Sequence, residues 1–126
     1  MIHKFLTTML SIFGPPLTVI HGDCGKGVDS IVKSACQHLK IDQILYPANW
    51  DKYGRKAGWI RNNLMFDHGI PDYVVCIFND LNHRSPGTLM TANLSRKYKV
   101  PCFMCDLGML DSEHYSDTVD MLESCI

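Results

Sequence analysis

Val19-Ile20-His21-Gly22-Asp23-Cys24-Gly25-Lys26-Gly27-Val28-Asp29 reads as a strand that enters a glycine-rich turn and leaves it as a helix. Three glycines let the backbone approach a guest closely. The N–H groups of the helix's first turn, helped by its dipole, form a site for phosphate or carboxylate. No Gly-Lys-Ser/Thr ending makes it a P-loop, and the glycine spacing is not that of a dinucleotide-binding fingerprint. An ordinary glycine-rich strand-to-helix turn would have the same local composition.

Outward from this turn the chain alternates helix and strand. Upstream, Ile2, Phe5, Leu6, Met9, Leu10 and Phe13 recur at helical spacing, Gly14-Pro15-Pro16 ends that helix, and Leu17–Ile20 forms a short strand. Downstream, Val28–Leu39 is amphipathic through Ile31, Val32, Ala35 and Leu39, and Gln43–Tyr46 is the next strand. A long polar loop, Pro47–Gly58, precedes a helix from about Trp59 to Asp67, with Gly69 as its left-handed stop. Tyr73–Phe78 is a strand, Asn79–Pro86 a loop, Thr88–Tyr98 a helix and Val100–Met104 a strand entered through Pro101. Ser112–Ser124 closes the chain as a helix. This pattern predicts one α/β domain over residues 1–126, with a Rossmann-like, open, mainly parallel four-stranded sheet flanked by helices. Ligands bind such sheets beyond the carboxyl ends of the strands, which here means the loops Gly22–Gly27, Pro47–Gly58 and Asn79–Gly87.

The composition narrows the function classes. Lys and Arg number 12 against 13 Asp and Glu, a formal net charge of −1, so no overall field favours long nucleic acids or anionic membranes. Thr7, Thr8 and Ser11 break the opening apolar segment before membrane-spanning length, which argues against secretion. The six cysteines are expected as reduced thiols in a cytoplasmic protein, because several fall within apolar strands or helices. No cofactor or metal is called for. Cys102 and Cys105 make a lone CxxC without a second ligand pair.

Two further stretches could join the first. Trp50, Tyr53, Arg55, Arg61 and Asn62 combine aromatic faces, cations and an amide, a set able to stack a base and pair its phosphates. The bland alternative makes Trp50 and Trp59 packing residues, with Lys52 and Lys56 on a solvated face. Pro86-Gly87-Thr88, after Ser85, is another turn able to offer backbone donors and a hydroxyl, or simply a capped helix start. Within the first turn, Cys24 and Lys26 are candidate contacts, His21 faces either the pocket or a structural partner, and Asp29 serves a ligand or the helix dipole. Lys33 is placed on the outer face of its helix, away from any ligand.

Taken together, His-Gly-Asp-Cys-x-x-Gly-x-Asp at His21–Asp29, Pro-Ala-x-Trp-x-x-Tyr-Gly-Arg-x-Ala-Gly-x-x-Arg-Asn-x-x-Met at Pro47–Met65, Gly-x-Pro-Asp at Gly69–Asp72, and Gly87-Thr88 followed by Ala92 resemble the YspA/YpsA-related branch of the SLOG superfamily over about residues 5–105. The resemblance implies a Rossmann-like sheet, nucleotide-derived ligands and frequent homodimers. It also implies that Gly22, Asp23, Gly27, Asp29, Arg61, Asn62, Gly87 and Thr88 belong to the pocket. Two departures bear on function. Relatives usually begin with a strand ending in a glycine turn, whereas this sequence opens in the following helix. The related LOG phosphoribohydrolases place a glutamate where this chain has Thr91, which cannot act as a carboxylate base.

The expectation is a binding protein that senses or sequesters a nucleotide-derived small molecule through His21, Gly22, Asp23, Cys24, Gly25, Lys26, Gly27, Asp29, Trp50, Tyr53, Arg55, Arg61, Asn62, Pro86, Gly87 and Thr88. Its expected form is a homodimer or higher homo-oligomer, with no long nucleic acid or membrane as partner. Related domains occur in phage and bacterial conflict systems, which extends the expectation to a phage sponge for a signalling nucleotide. Two alternatives are an N-glycosidase or phosphohydrolase working through Asp23 or Asp29, and a partner-binding module without a ligand.

Overall fold

The computed structural model describes residues 2–25, 27–78 and 86–106. The loop expected before Pro86, the helix expected over Ser112–Ser124 and the candidate Lys26 lie outside them. Helix α1 spans Ile2–Phe13, and its apolar residues Ile2, Phe5, Leu6 and Met9 form one buried stripe. Gly14, at φ +68, ends it after donating to the Leu10 carbonyl at 2.9 Å. Strand β1 is Thr18–His21, helix α2 Val28–Leu39 and strand β2 Asp42–Leu45. Lys40 closes α2 in the left-handed conformation, φ 58, and the Ile41 N–H reaches back to the Cys36 carbonyl at 2.9 Å.

The stretch expected as a polar loop is largely helical. Asn49 caps a single turn, α3 (Trp50–Tyr53), by accepting the Lys52 N–H at 3.1 Å, and a 3₁₀ turn follows over Gly54–Lys56. Helix α4 then covers Ala57–Asp67. Gly69 is not the left-handed stop, for Ile70 takes the positive φ of 46. The glycine is needed for a close approach instead, because a Cβ there would collide with the Met65 carbonyl oxygen and come within 2.9 Å of Ile20 Cδ1. Strand β3 is Val74–Phe78, helix α5 Pro86–Lys97 and strand β4 Cys102–Asp106. Proline suits the first position of α5, where an N–H would have no helical acceptor.

The fold is mixed α/β, with its short parallel strands in two small sheets, β1 beside β2 and β3 beside β4. Side-chain alternation assigns helices to both faces of β1. Val19 packs on the cluster of Ile2, Leu6, Val32, Ala35, Cys36 and Ile41 from α1, α2 and the turn after it, whereas Ile20 meets Gly69 just past α4. Val75 and Phe103 rest on Phe5 and Met9, and Ile77 joins the first cluster. A single helix, α1, therefore carries both strand pairs. Leu17 packs against both clusters. Helix α5 joins α4 through Phe66 stacked on Tyr98 at 5.3 Å and the Tyr98 hydroxyl donating to Asp67 at 2.6 Å. That hydrogen bond to the carboxylate holds the Tyr98 hydroxyl above its ordinary pKa. Among the described residues, no helix is long and apolar enough to cross a membrane.

Two substitutions test these backbone assignments by urea and thermal denaturation. Gly69→Ala should cost about 1–3 kcal/mol through overpacking against α4 and Ile20. Lys40→Gly should stabilise by about 0.5–1 kcal/mol, because glycine adopts the left-handed stop without steric cost.

Candidate functional site

The turn after β1 is held by a closed ring of hydrogen bonds. His21 is buried, and its Nδ1 accepts the Asp23 N–H at 3.1 Å. Its Nε2 therefore carries the proton and donates to Gln43 Oε1 at 2.8 Å. Gln43 Nε2 donates to the Lys33 carbonyl at 3.3 Å, and Lys33 Nζ returns to Asp23 Oδ1 at 2.9 Å. One strand residue, its neighbour on β2, and one residue of α2 thus fix Asp23 in its left-handed conformation, φ 50. His21 serves here as a brace, with both ring nitrogens engaged. Lys33 corrects the expectation of an idle outer face, since its long stem returns its ammonium to the turn. Gln43 and Lys33 are the residues that sequence reasoning missed; Gln43 had a signal, as a polar residue beside Val19 in the parallel register.

Asp29 secures the next stretch, its Oδ2 accepting the Cys24 N–H at 3.3 Å. Cys24 and Gly25 are exposed. Gly27, at φ +78, starts α2 with no side-chain cap, and the acidic residue of the first turn is Asp29. Arg61 reaches this turn from α4. Its Nε donates to Asn62 Oδ1 and its Nη1 to the Gly22 carbonyl, both at 2.7 Å. A Cβ on Gly22 would overlap the guanidinium, which is why glycine stands there. Asn62 is buried. The remaining N–H groups of Arg61 have no partner among the described residues.

A cavity of about 1050 Å³ runs between β1 and β3. Its polar end is lined by His21, Gly22 and Asp29 together with Thr91, one turn into α5. Pro86, Gly87 and Thr88 form the first turn of α5.

Trp50, Tyr53 and Arg55 are exposed on α3 and the 3₁₀ turn, and none of them lines this cavity. Trp50 and Trp59 are 59% and 58% exposed, so neither is the core packing residue of the bland alternative, although the Trp50 ring edge lies over Gly58. A smaller cavity, about 300 Å³, lies between α5 and β4, away from the β1 turn.

The thiols offer no comparable chemistry. Cys24, Cys36, Cys76, Cys102 and Cys105 are all free, and the Cys76 and Cys102 sulfurs sit 3.7 Å apart. Burial and then the neighbouring Cys102 push the Cys76 thiol from 9.0 up to about 12, and burial raises Cys36 and Cys105 as well. Among the described residues, no group of three or more His, Cys, Asp or Glu side chains is placed to hold a metal ion. No family model matches the chain, and no curated protein or solved structure matches it significantly.

Two measurements check these assignments. Lys33→Met should leave global stability within about 1 kcal/mol, because the pair is partly solvated, while amide exchange at Asp23 quickens about five- to tenfold as the ring opens. The folded chain holds the Cys76 proton more tightly than the unfolded chain does. Unfolding free energy should therefore fall as pH rises above 9.0 toward about 12, and Cys76→Ala should flatten that slope.

Proposed function

We propose that this chain captures a phosphate-bearing, nucleotide-derived small molecule at the carboxyl end of β1, as a Rossmann-like domain of the SLOG kind. In this reading the two strand pairs are halves of one mainly parallel sheet, ordered β2-β1-β3-β4, and the anion sits at the start of α2. The observation that carries the proposal is Arg61: its guanidinium is anchored to the Gly22 carbonyl and Asn62, at the turn that leads into α2. A fixed guanidinium beside a helix N-terminus loses little entropy on meeting phosphate. The exposed rings of Trp50, Tyr53 and Trp59 supply apolar faces that a base or a second protomer of a homodimer would cover.

Capture without turnover is favoured over hydrolysis by the state of the carboxylates. Asp23 is paired to Lys33 and Asp29 is engaged by the Cys24 amide, so each braces the turn, and Thr91 stands where the LOG enzymes carry their glutamate. Sensing or sequestration, including the phage-sponge version, follows from that reading.

Native mass spectrometry of the purified chain, followed by calorimetry with linear and cyclic ADP-ribose-type compounds, nucleoside monophosphates and cyclic oligonucleotides, tests it. At least one phosphate-bearing ligand should bind and be recovered intact, and Arg61→Ala should weaken it about tenfold or more, as loss of a charge-assisted bidentate contact does. Absence of heat with the whole panel would remove the proposal, and release of free base or ribose phosphate would replace it with the hydrolase.

A further inference from the structure

Thiols that offer nothing to an anion can still react with each other, and the pair that meets is not the CxxC of the sequence. Phe103 packs on Phe5 and Met9 of α1, and side chains alternate along a strand. Cys105 therefore shares the α1 face with Phe103, while Cys102 and Met104 turn to the other face and line the cavity beside α5. The thiol that meets Cys102 comes from the neighbouring strand. Cys76 stands opposite Met104 in the parallel register, two positions along from Cys102 on the same face, and the two sulfurs lie 3.7 Å apart.

The two thiols differ in a way that orders their reactions. Cys102 is partly exposed and Cys76 is buried, so a small oxidant arriving from solvent meets Cys102 first. Burial and then the neighbouring Cys102 push the Cys76 thiol up to about 12, and a protonated thiol is a poor nucleophile. Their diagonal placement sets the character of any bond between them. Residues two positions apart on neighbouring strands are separated by roughly 8 Å at Cα, whereas a relaxed disulfide spans about 4.4–6.8 Å. Closing the bridge draws β3 and β4 together locally, and a strained disulfide is readily reduced.

We infer that Cys102 and Cys76 form a reversible oxidation site for hydroperoxides, with Cys102 oxidised first and Cys76 closing a disulfide across β3 and β4. The Cys102 thiolate attacks one peroxide oxygen, the O–O bond breaks, and hydroxide leaves to be protonated to water. The sulfenic acid left on Cys102 then meets Cys76. Cys76 gives up its proton, its sulfur bonds to Cys102 Sγ, and the S–O bond breaks with loss of a second water. Two thiols and one peroxide become one disulfide and two waters, the two electrons passing from sulfur to oxygen. The inference stands apart from anion capture and uses none of its residues.

The test treats the whole chain with hydrogen peroxide, alkylates the remaining thiols and maps the digest by mass spectrometry. Cys76 and Cys102 should be recovered as one cross-linked peptide pair that dithiothreitol separates. Cys105→Ser, which removes the CxxC, should leave that link intact. Cys76→Ser should trap Cys102 as a sulfenic acid that dimedone labels several-fold more than in the unsubstituted chain, whereas Cys102→Ser should slow oxidation of Cys76 about tenfold or more. A link from Cys102 to Cys105 would overturn the inference. So would the absence of a Cys76–Cys102 link in the unsubstituted chain at a peroxide dose that fully oxidises the exposed Cys24, or unchanged oxidation of Cys76 in the Cys102→Ser chain.

Discussion

Phe5 and Met9 of α1 lie against Leu17 from one strand pair and against Val75 and Phe103 from the other. Everything else in the architecture depends on that shared contact, because the described strands offer no hydrogen bonding from one pair to the other. A two-stranded sheet is marginal alone, and its stability here derives from apolar burial on helices. The Ile2-Phe5-Leu6-Met9 stripe does this twice, once for each pair, and at roughly 1.5–3 kcal/mol for each large apolar side chain buried it is the largest local contribution to keeping the pairs together.

At that end the chemistry is set by short-range commitments. The ring through His21, Gln43, Lys33 and Asp23 uses polar groups whose burial would otherwise be costly, and it fixes the turn before any guest arrives. Arg61 contributes from α4, so α4 and the β1 turn are joined by a charge-assisted hydrogen bond. The carboxylates of the turn are held by protein contacts, Asp23 by Lys33 and Asp29 by the Cys24 amide.

Much of this was legible in the sequence. The helices of Ile2–Phe13 and Val28–Leu39 matched their apolar periodicity and punctuation to the residue, because glycine, proline and a 3.6-residue repeat pointed the same way. The strands shifted by a residue or two, as short apolar runs carry no signal for their ends. The Pro47–Gly58 stretch was misread because its polarity resembles a loop, whereas Asn49 capping and good helix formers make it a series of turns. Gly69 was identified as special for the wrong reason, since sequence does not distinguish a positive φ from a close approach. Lys33 was misplaced because periodicity gives the position of a Cα and not the reach of four methylenes. The division of the sheet into two pairs was invisible for a deeper reason: alternation of helix and strand predicts parallel pairing, but not which edges meet.

That division changes what the interior is. Natural sheets protect their edges with charge, proline, bulges or short strands at the rim of the molecule. Here Thr18, Ile20, Val75 and Ile77 border the cavity, between apolar side chains of α1 and α4. Unpaired amides and carbonyls in such surroundings favour whatever pairs them. A small molecule recognised only by shape would leave that requirement unmet, so the cavity is better described by its hydrogen-bonding edges than by its volume.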